Sequence, residues 1–211
     1  LVDALSQSTR VILQAPPGAG KSTWLPLHLI KDNHFKRIVM LEPRRLAARN
    51  IATFLAQSLD QPLGETIGLH IRGERFVSAN TRLEIVTEGI LTRMLQNDPE
   101  LNGIDLVIFD EFHERSIQAE TALALALETQ QGYRDDLKLL IMSATLDGQR
   151  LSNKFDAPLI QSDGRSFPID EHYVPLKNEA DWLAAIAPMV ISALNSESGS
   201  ALVFLPGQRE I

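Results

Sequence analysis

The chain has 211 residues, 44% of them hydrophobic and 22% charged, with a formal net charge of −7 at pH 7. That is enough apolar material for one sizeable core and part of a second, while the acidic balance confines any nucleic-acid contact to local patches. The absence of cysteine excludes disulfides and thiolate metal sites, and no apolar run approaches the length that spans a bilayer, so no membrane partner is expected.

The sequence starts at Leu1 rather than Met and stops at Ile211 in mid-pattern, as expected of a piece of a longer protein. Leu1, Ala4 and Leu5 fall at helical spacing and predict a short leading helix. Val11-Ile12-Leu13 then reads as a buried strand, broken by Pro16, Pro17, Gly18 and Gly20. Lys21-Ser22-Thr23 is expected to open the following helix. This is the strand, glycine-rich loop and helix of a phosphate-binding loop. Its nucleotide-binding set is Ala15, Pro16, Pro17, Gly18, Ala19, Gly20, Lys21, Ser22 and Thr23. Glycines there let backbone N–H groups turn toward an anion, Lys21 reaches the β and γ phosphates, and the Ser22 hydroxyl holds Mg²⁺. Ala15 stands where the pattern usually has its first glycine; at a strand end it needs no positive φ.

Arg37–Leu41 is expected as a second buried strand, with Glu42-Pro43-Arg44-Arg45 at its carboxyl end and an amphipathic helix to about Leu59. Ligands of open α/β sheets are met at such strand ends. Cations at a helix start oppose its dipole, a conflict that a phosphate ligand would offset. Thr66–Arg72 alternates like a strand, Gly73–Asn80 reads as a polar turn, and Arg82–Thr87 as a further strand before a helix over Glu88–Gln96. Thr87 could cap that helix or contact a ligand backbone. His70 reads as an ordinary strand histidine.

Leu106–Phe109 is a fully apolar strand ending in Asp110-Glu111-Phe112-His113-Glu114-Arg115-Ser116. An acidic pair at the end of a buried strand, beside a phosphate-binding loop, is expected to form a Mg²⁺ site from Ser22, Asp110 and Glu111. Asp110 would hold the metal and Glu111 would orient and deprotonate an attacking water. His113 and Arg115 are placed to sense the γ-phosphate or couple the site to a neighbouring domain. No second ligand supports a histidine metal centre.

An Ala/Leu-rich helix over Ile117–Gln130 reads as core, and a strand over Asp136–Met142 ends in Ser143-Ala144-Thr145. Gly148–Phe155 is expected to be helical. Leu159-Ile160, Arg165–Ile169 and His172–Pro175 are expected as short closing strands. A helix follows over Asn178–Asn195, kinked or split at Pro188, and Ala201–Leu205 is expected as a new buried strand.

Five ordered motifs carry a family resemblance: Gly18-Ala19-Gly20-Lys21-Ser22, Pro43-Arg44-Arg45-Leu46-Ala47-Ala48, Thr87-Glu88-Gly89, Asp110-Glu111-Phe112-His113-Glu114-Arg115 and Ser143-Ala144-Thr145. The set resembles a DEAH-box ATP-dependent RNA helicase, most like the bacterial HrpB-type branch, with Phe112 where most members carry Ala. The resemblance implies an α/β fold: a P-loop NTPase RecA-like domain with a mostly parallel sheet and helices on both faces. It implies a first RecA-like domain over 1–175 and the start of a second over 176–211. It also implies ATP and Mg²⁺ as cofactors, single-stranded RNA as partner (DNA remaining an alternative), and a cytoplasmic location. The second RecA-like domain and C-terminal domains of the parent chain would be further partners.

By that resemblance Lys21, Glu111 and His113 are catalytic. Arg44, Arg45, Thr87 and Glu88 contact the RNA backbone, and Ser143, Thr145 and Arg115 couple hydrolysis to movement. Phe54 matches a base-stacking position, with a core role as its alternative. The family's arginine fingers lie in the second domain, so the chain alone is expected to bind nucleotide weakly, hydrolyse it slowly if at all, and not unwind a duplex. A small-molecule phosphotransferase is the other enzyme class weighed.

Overall fold

A computed structural model describes residues 1–31, 34–144, 148–162, 169–175 and 182–210. The chain divides into two compact units, Leu1–Ser166 and Phe167–Ile211.

The first unit is built on an eight-stranded sheet. Its strands in chain order are β1 (Arg10–Gln14), β2 (Ile38–Leu41), β3 (Ile67–Ile71), β4 (Glu74–Phe76), β5 (Leu83–Val86), β6 (Leu106–Phe109), β7 (Lys138–Ser143) and β8 (Leu159–Gln161). In space the order is β4-β3-β5-β2-β6-β7-β1-β8. All neighbours are parallel except the β3–β4 pair, an antiparallel hairpin. Parallel strands covered on both faces have no solvent side, which is why β2, β5 and β6 are apolar or buried at every position.

Alternation along each strand divides the core in two. Val11 and Leu13 of β1, Ile38 and Met40 of β2, and Leu106 and Ile108 of β6 face one layer, with α1 (Val2–Gln7), α2 (Trp24–Lys31) and α3 (Arg45–Gln57) packed on it. Ile12, Val39, Leu41, Val107 and Phe109 face the other, against α4 (Glu88–Asn97), α5 (Ile117–Gly132) and α6 (Gly148–Phe155). The expected α/β class, mostly parallel sheet and two-sided helix cover are all present.

Three local expectations differ in this unit. Residues 21–23 form turns, and α2 begins only at Trp24. The stretch after Gly73 is not wholly a turn: Gly73, at φ +87°, lets the chain reverse so that Glu74–Phe76 pairs back onto β3. Asp136 lies before β7, which starts at Lys138.

In the second unit α7 (Trp182–Ser196) runs unbroken through Pro188, against the expected kink or split, and none of its described residues is buried. Residues 169–175 and Ala201–Leu205 form no strand. An apolar run becomes a strand only when a neighbour takes its backbone hydrogen bonds, and no described segment of this unit offers one. The rest of the Arg165–Ile169 expectation lies outside the described residues.

Candidate nucleotide and nucleic-acid site

The carboxyl end of β1 turns at Ala15, whose N–H donates to Ser143 O at 3.1 Å and whose φ is not positive. Gly18 and Gly20 both sit at φ +79°, a conformation that side chains oppose. Among the described residues, the N–H groups of Gly18, Gly20, Lys21 and Ser22 donate to no protein acceptor, whereas those of Ala19 and Thr23 close turns within the loop. Four free donors on one loop form an anion cradle. Lys21 is buried and bends back, its Nζ donating to Pro16 O at 3.4 Å. Residues 17–24, with Glu111 opposite, enclose a cavity of about 410 Å³.

Asp110 closes β6 with its side chain buried. Oδ1 accepts the Glu111 N–H at 2.8 Å, while Oδ2 is buried with no hydrogen-bond partner. Burial pushes this carboxyl above the usual range; the Ser22 hydroxyl acts against that, and the Glu111 charge adds to it. A carboxylate with one orphaned oxygen, on a group that the Ser22 hydroxyl also acts on, fits one face of a hard divalent cation whose other ligands are phosphate and water. Among the described residues no group of three or more His, Cys, Asp or Glu is placed to hold a metal ion.

The turn after Asp110 is a 3-10 helix, Phe112–Glu114, bracketed by two left-handed residues, Glu111 at φ 48° and Arg115 at φ 54°. Neither is glycine, so both are strained. Phe112 anchors the turn, packing edge-on against Phe109 at 6.3 Å. Its tip presents His113, with Nδ1 3.4 Å from Glu111 Oε2 and 3.4 Å from the backbone N of Ala144. Ser143 is buried at the end of β7; Thr145 lies outside the described residues. Arg115 pairs with Glu120 at 3.4 Å. Ser116 caps α5, accepting from Ala119 N, and its hydroxyl donates to Glu88.

The second cluster starts at Glu42, buried at the end of β2 beside Asp110. Its Oε1 accepts the Arg44 N–H at 3.1 Å. Desolvation, followed by the charges of Asp110, Glu111 and Glu114, pushes the Glu42 carboxyl up to about 7, against the lowering effect of that N–H. The Arg44 guanidinium lies 2.6 Å from Glu114 Oε1, and Arg45 donates to Arg72 O at 3.0 Å. These partners offset the conflict of cations at the α3 N-terminus. Thr87 occupies the N-cap position of α4 but makes no side-chain cap bond. It opens instead, with Arg72, Arg75 and Arg93, onto a groove of about 590 Å³.

The structure thus brings the loop, Asp110, Glu111 and His113 into one place and Arg44, Arg45 and Thr87 beside it. Glu88 is engaged with Ser116. Phe54 does not line the loop cavity, and at 47% exposed it does not take the core role either. His70 lies 3.3 Å from buried Glu84, which Arg37 also holds, and it also lines the groove beside Thr87. Sequence reasoning missed Arg72, Arg75 and Arg93. The first two flank the Gly73 reversal, and only the unseen hairpin turns them into the groove.

Residues 1–153 match the family model described as DEAD/DEAH box helicase. The chain belongs to that family. Over its whole length it is 55% identical to the ATP-dependent RNA helicase HrpB of Escherichia coli, of which it spans 26%. It is 36% identical over its whole length to HrpA of the same organism, and 35% identical over 98% of its length to an HrpA homolog of Haemophilus influenzae, spanning 17% and 16% of those proteins. Two crystal structures of E. coli HrpB, described as a DEAH/RHA helicase and a DExH-box NTPase, superpose over 99% of the chain with TM-scores of 0.90 and 0.82. The helicase-family chain therefore spans about a quarter of the HrpB proteins it matches, and its sheet is RecA-like.

Proposed function

We propose that this chain is the ATP-binding motor domain of an ATP-dependent RNA helicase, holding nucleotide with Mg²⁺ on the loop and single-stranded RNA along the Arg44–Thr87 groove. The observation that carries the reading is the shared cavity: four free N–H donors, a buried lysine, and Glu111 facing them, beside a carboxylate oxygen without a partner.

The N–H cradle binds the phosphates, and Lys21 exchanges Pro16 O for a phosphate oxygen. Mg²⁺, held by Ser22 and Asp110, would neutralise charge on the β and γ phosphates. Glu111, opposite the loop, takes the proton from an attacking water. His113 Nδ1 can link its turn to the end of β7, by accepting from Ala144, or to the base Glu111, by donating to it. Arg44, Arg45, Thr87 and the arginines of the groove grip phosphodiesters, which positions a strand without reading its bases. A second RecA-like domain supplies the arginine fingers in this reading, and further domains of the longer protein are its other partners. No described helix is long and apolar enough to cross a membrane; a cytoplasmic location accompanies the reading.

The test is ATP turnover by the full-length helicase with and without single-stranded RNA or matched DNA, beside Glu111→Gln. Stimulation by RNA that the variant abolishes supports the reading. Equal stimulation by DNA makes it a general single-strand motor. Turnover indifferent to both points to a small-molecule phosphotransferase.

A further inference from the structure

Arg44 and Glu114 come from different motifs, one at the start of α3 and one in the turn that carries Glu111. Their side chains meet at 2.6 Å with the arginine 71% and the glutamate 30% exposed. An ion pair this open is weak and easily exchanged. The backbone N–H of Arg44 is fixed independently, by Glu42, so the guanidinium can leave Glu114 without the loop moving. Glu114 lies on the same short turn as Glu111, between two strained residues. Four carboxylates, Glu42, Asp110, Glu111 and Glu114, crowd this corner.

We propose that Glu114 is a positioning residue that holds Arg44 in the RNA-free chain, so that an RNA phosphate and Glu114 compete for one guanidinium. The proposal rests on the assignment of Arg44 to the RNA path. Its consequence is directional. When a phosphodiester takes Arg44, Glu114 loses its counter-charge and the turn bearing Glu111 loses a tether. The exchange is the point at which the nucleotide site registers an occupied strand path.

The test is binding of a fluorescein-labelled oligouridylate of twelve nucleotides to the full-length helicase, followed by anisotropy across a salt series. Wild type, Glu114→Gln, Arg44→Gln and the double variant form a cycle. Glu114→Gln is expected to bind about two- to fivefold tighter, the strength of an exposed pair. Arg44→Gln should bind more weakly, with a salt slope smaller by about one. In the Arg44→Gln background, Glu114→Gln should change nothing; with Arg44 present, Glu114→Asp, which keeps the charge, should bind close to wild type rather than tighter. Unchanged or weaker binding by Glu114→Gln overturns the proposal. Equal tightening with and without Arg44 also overturns it, since that is a general loss of negative charge. Absence of salt-dependent RNA binding by the wild type removes the RNA reading itself. Wild-type binding with an inert Glu114→Gln removes only the relay.

Discussion

Nδ1 of His113 accepts the backbone N–H of Ala144 at 3.4 Å, joining the turn after β6 to the end of β7. The same nitrogen is 3.4 Å from Glu111 Oε2. One ring nitrogen cannot do both: unprotonated it accepts from Ala144, protonated it donates to Glu111. Loss of the base and loss of this link should separate in turnover assays. Glu111→Gln should lower kcat by about 10² to 10⁴, with nucleotide affinity little changed. His113→Phe, which keeps the ring volume, should cost about tenfold, one net hydrogen bond. Equal losses in both variants would place His113 in the chemistry itself.

Lys21 Nζ donates to Pro16 O at 3.4 Å. Lys21→Met keeps the buried stem and removes the charge. Titration with a fluorescent ATP analogue should show affinity lower by about ten- to a hundredfold, the loss of a charged hydrogen bond, while thermal unfolding stays near wild type. Asp110→Asn should make affinity insensitive to Mg²⁺ removal by EDTA. If EDTA has no effect on wild type, Ser22 and Asp110 are not a cation site.

Glu42 gives the chain a pH dependence of known sign. Its carboxyl titrates near 7 in the fold against an ordinary 4.5. A raised carboxyl favours folding while protonated, so its contribution is full below about 4.5 and lost as pH rises through about 7. The difference corresponds to about 3 kcal/mol. Chemical denaturation of wild type and Glu42→Gln should therefore agree near pH 4 and diverge toward pH 8, with the variant the more stable. Parallel curves would mean that the Glu42 carboxyl is already satisfied.

Thr87 offers a test of cap against contact. Because its hydroxyl makes no cap bond, Thr87→Val should leave stability within about 0.5 kcal/mol. It should nevertheless weaken single-stranded RNA binding by severalfold. Destabilisation by about 1 kcal/mol, the cost of a lost cap, would restore the capping explanation.

Arg93 was not singled out by its motif. Arg93→Gln should weaken RNA and DNA alike and reduce the salt slope by about one. An unchanged slope would place the strand elsewhere than the groove beside Thr87.

The sheet was legible because burial on both faces leaves continuous apolar runs, as in Leu106–Phe109, each ending where polar chemistry begins. The cradle and acidic pair were legible for the same reason: chemistry follows strand ends in sequence as well as in space. Local patterning could not show β4, where Glu74 and Arg75 are polar and no residue is buried. It therefore hid Arg72 and Arg75. Nor could it show Arg44 reaching Glu114, 70 positions apart, because nothing in either segment specifies the other. Ala201–Leu205 erred in the opposite direction. Its composition is that of a strand, but strand formation is a property of pairs.

The sheet order has a cost during synthesis. β1 carries the phosphate loop and leaves the ribosome before the other strands of the sheet, yet it lies between β7 and β8, and Arg10 pairs with Leu139, 129 residues later. At about 5–20 residues per second, the strand waits roughly ten seconds with both edges bare. Val11, Ile12 and Leu13 are an aggregation hazard throughout that interval. The yield of folded protein should therefore depend more on translation speed between β1 and β7, and on chaperones that shield nascent apolar strands, than on the final stability of the domain.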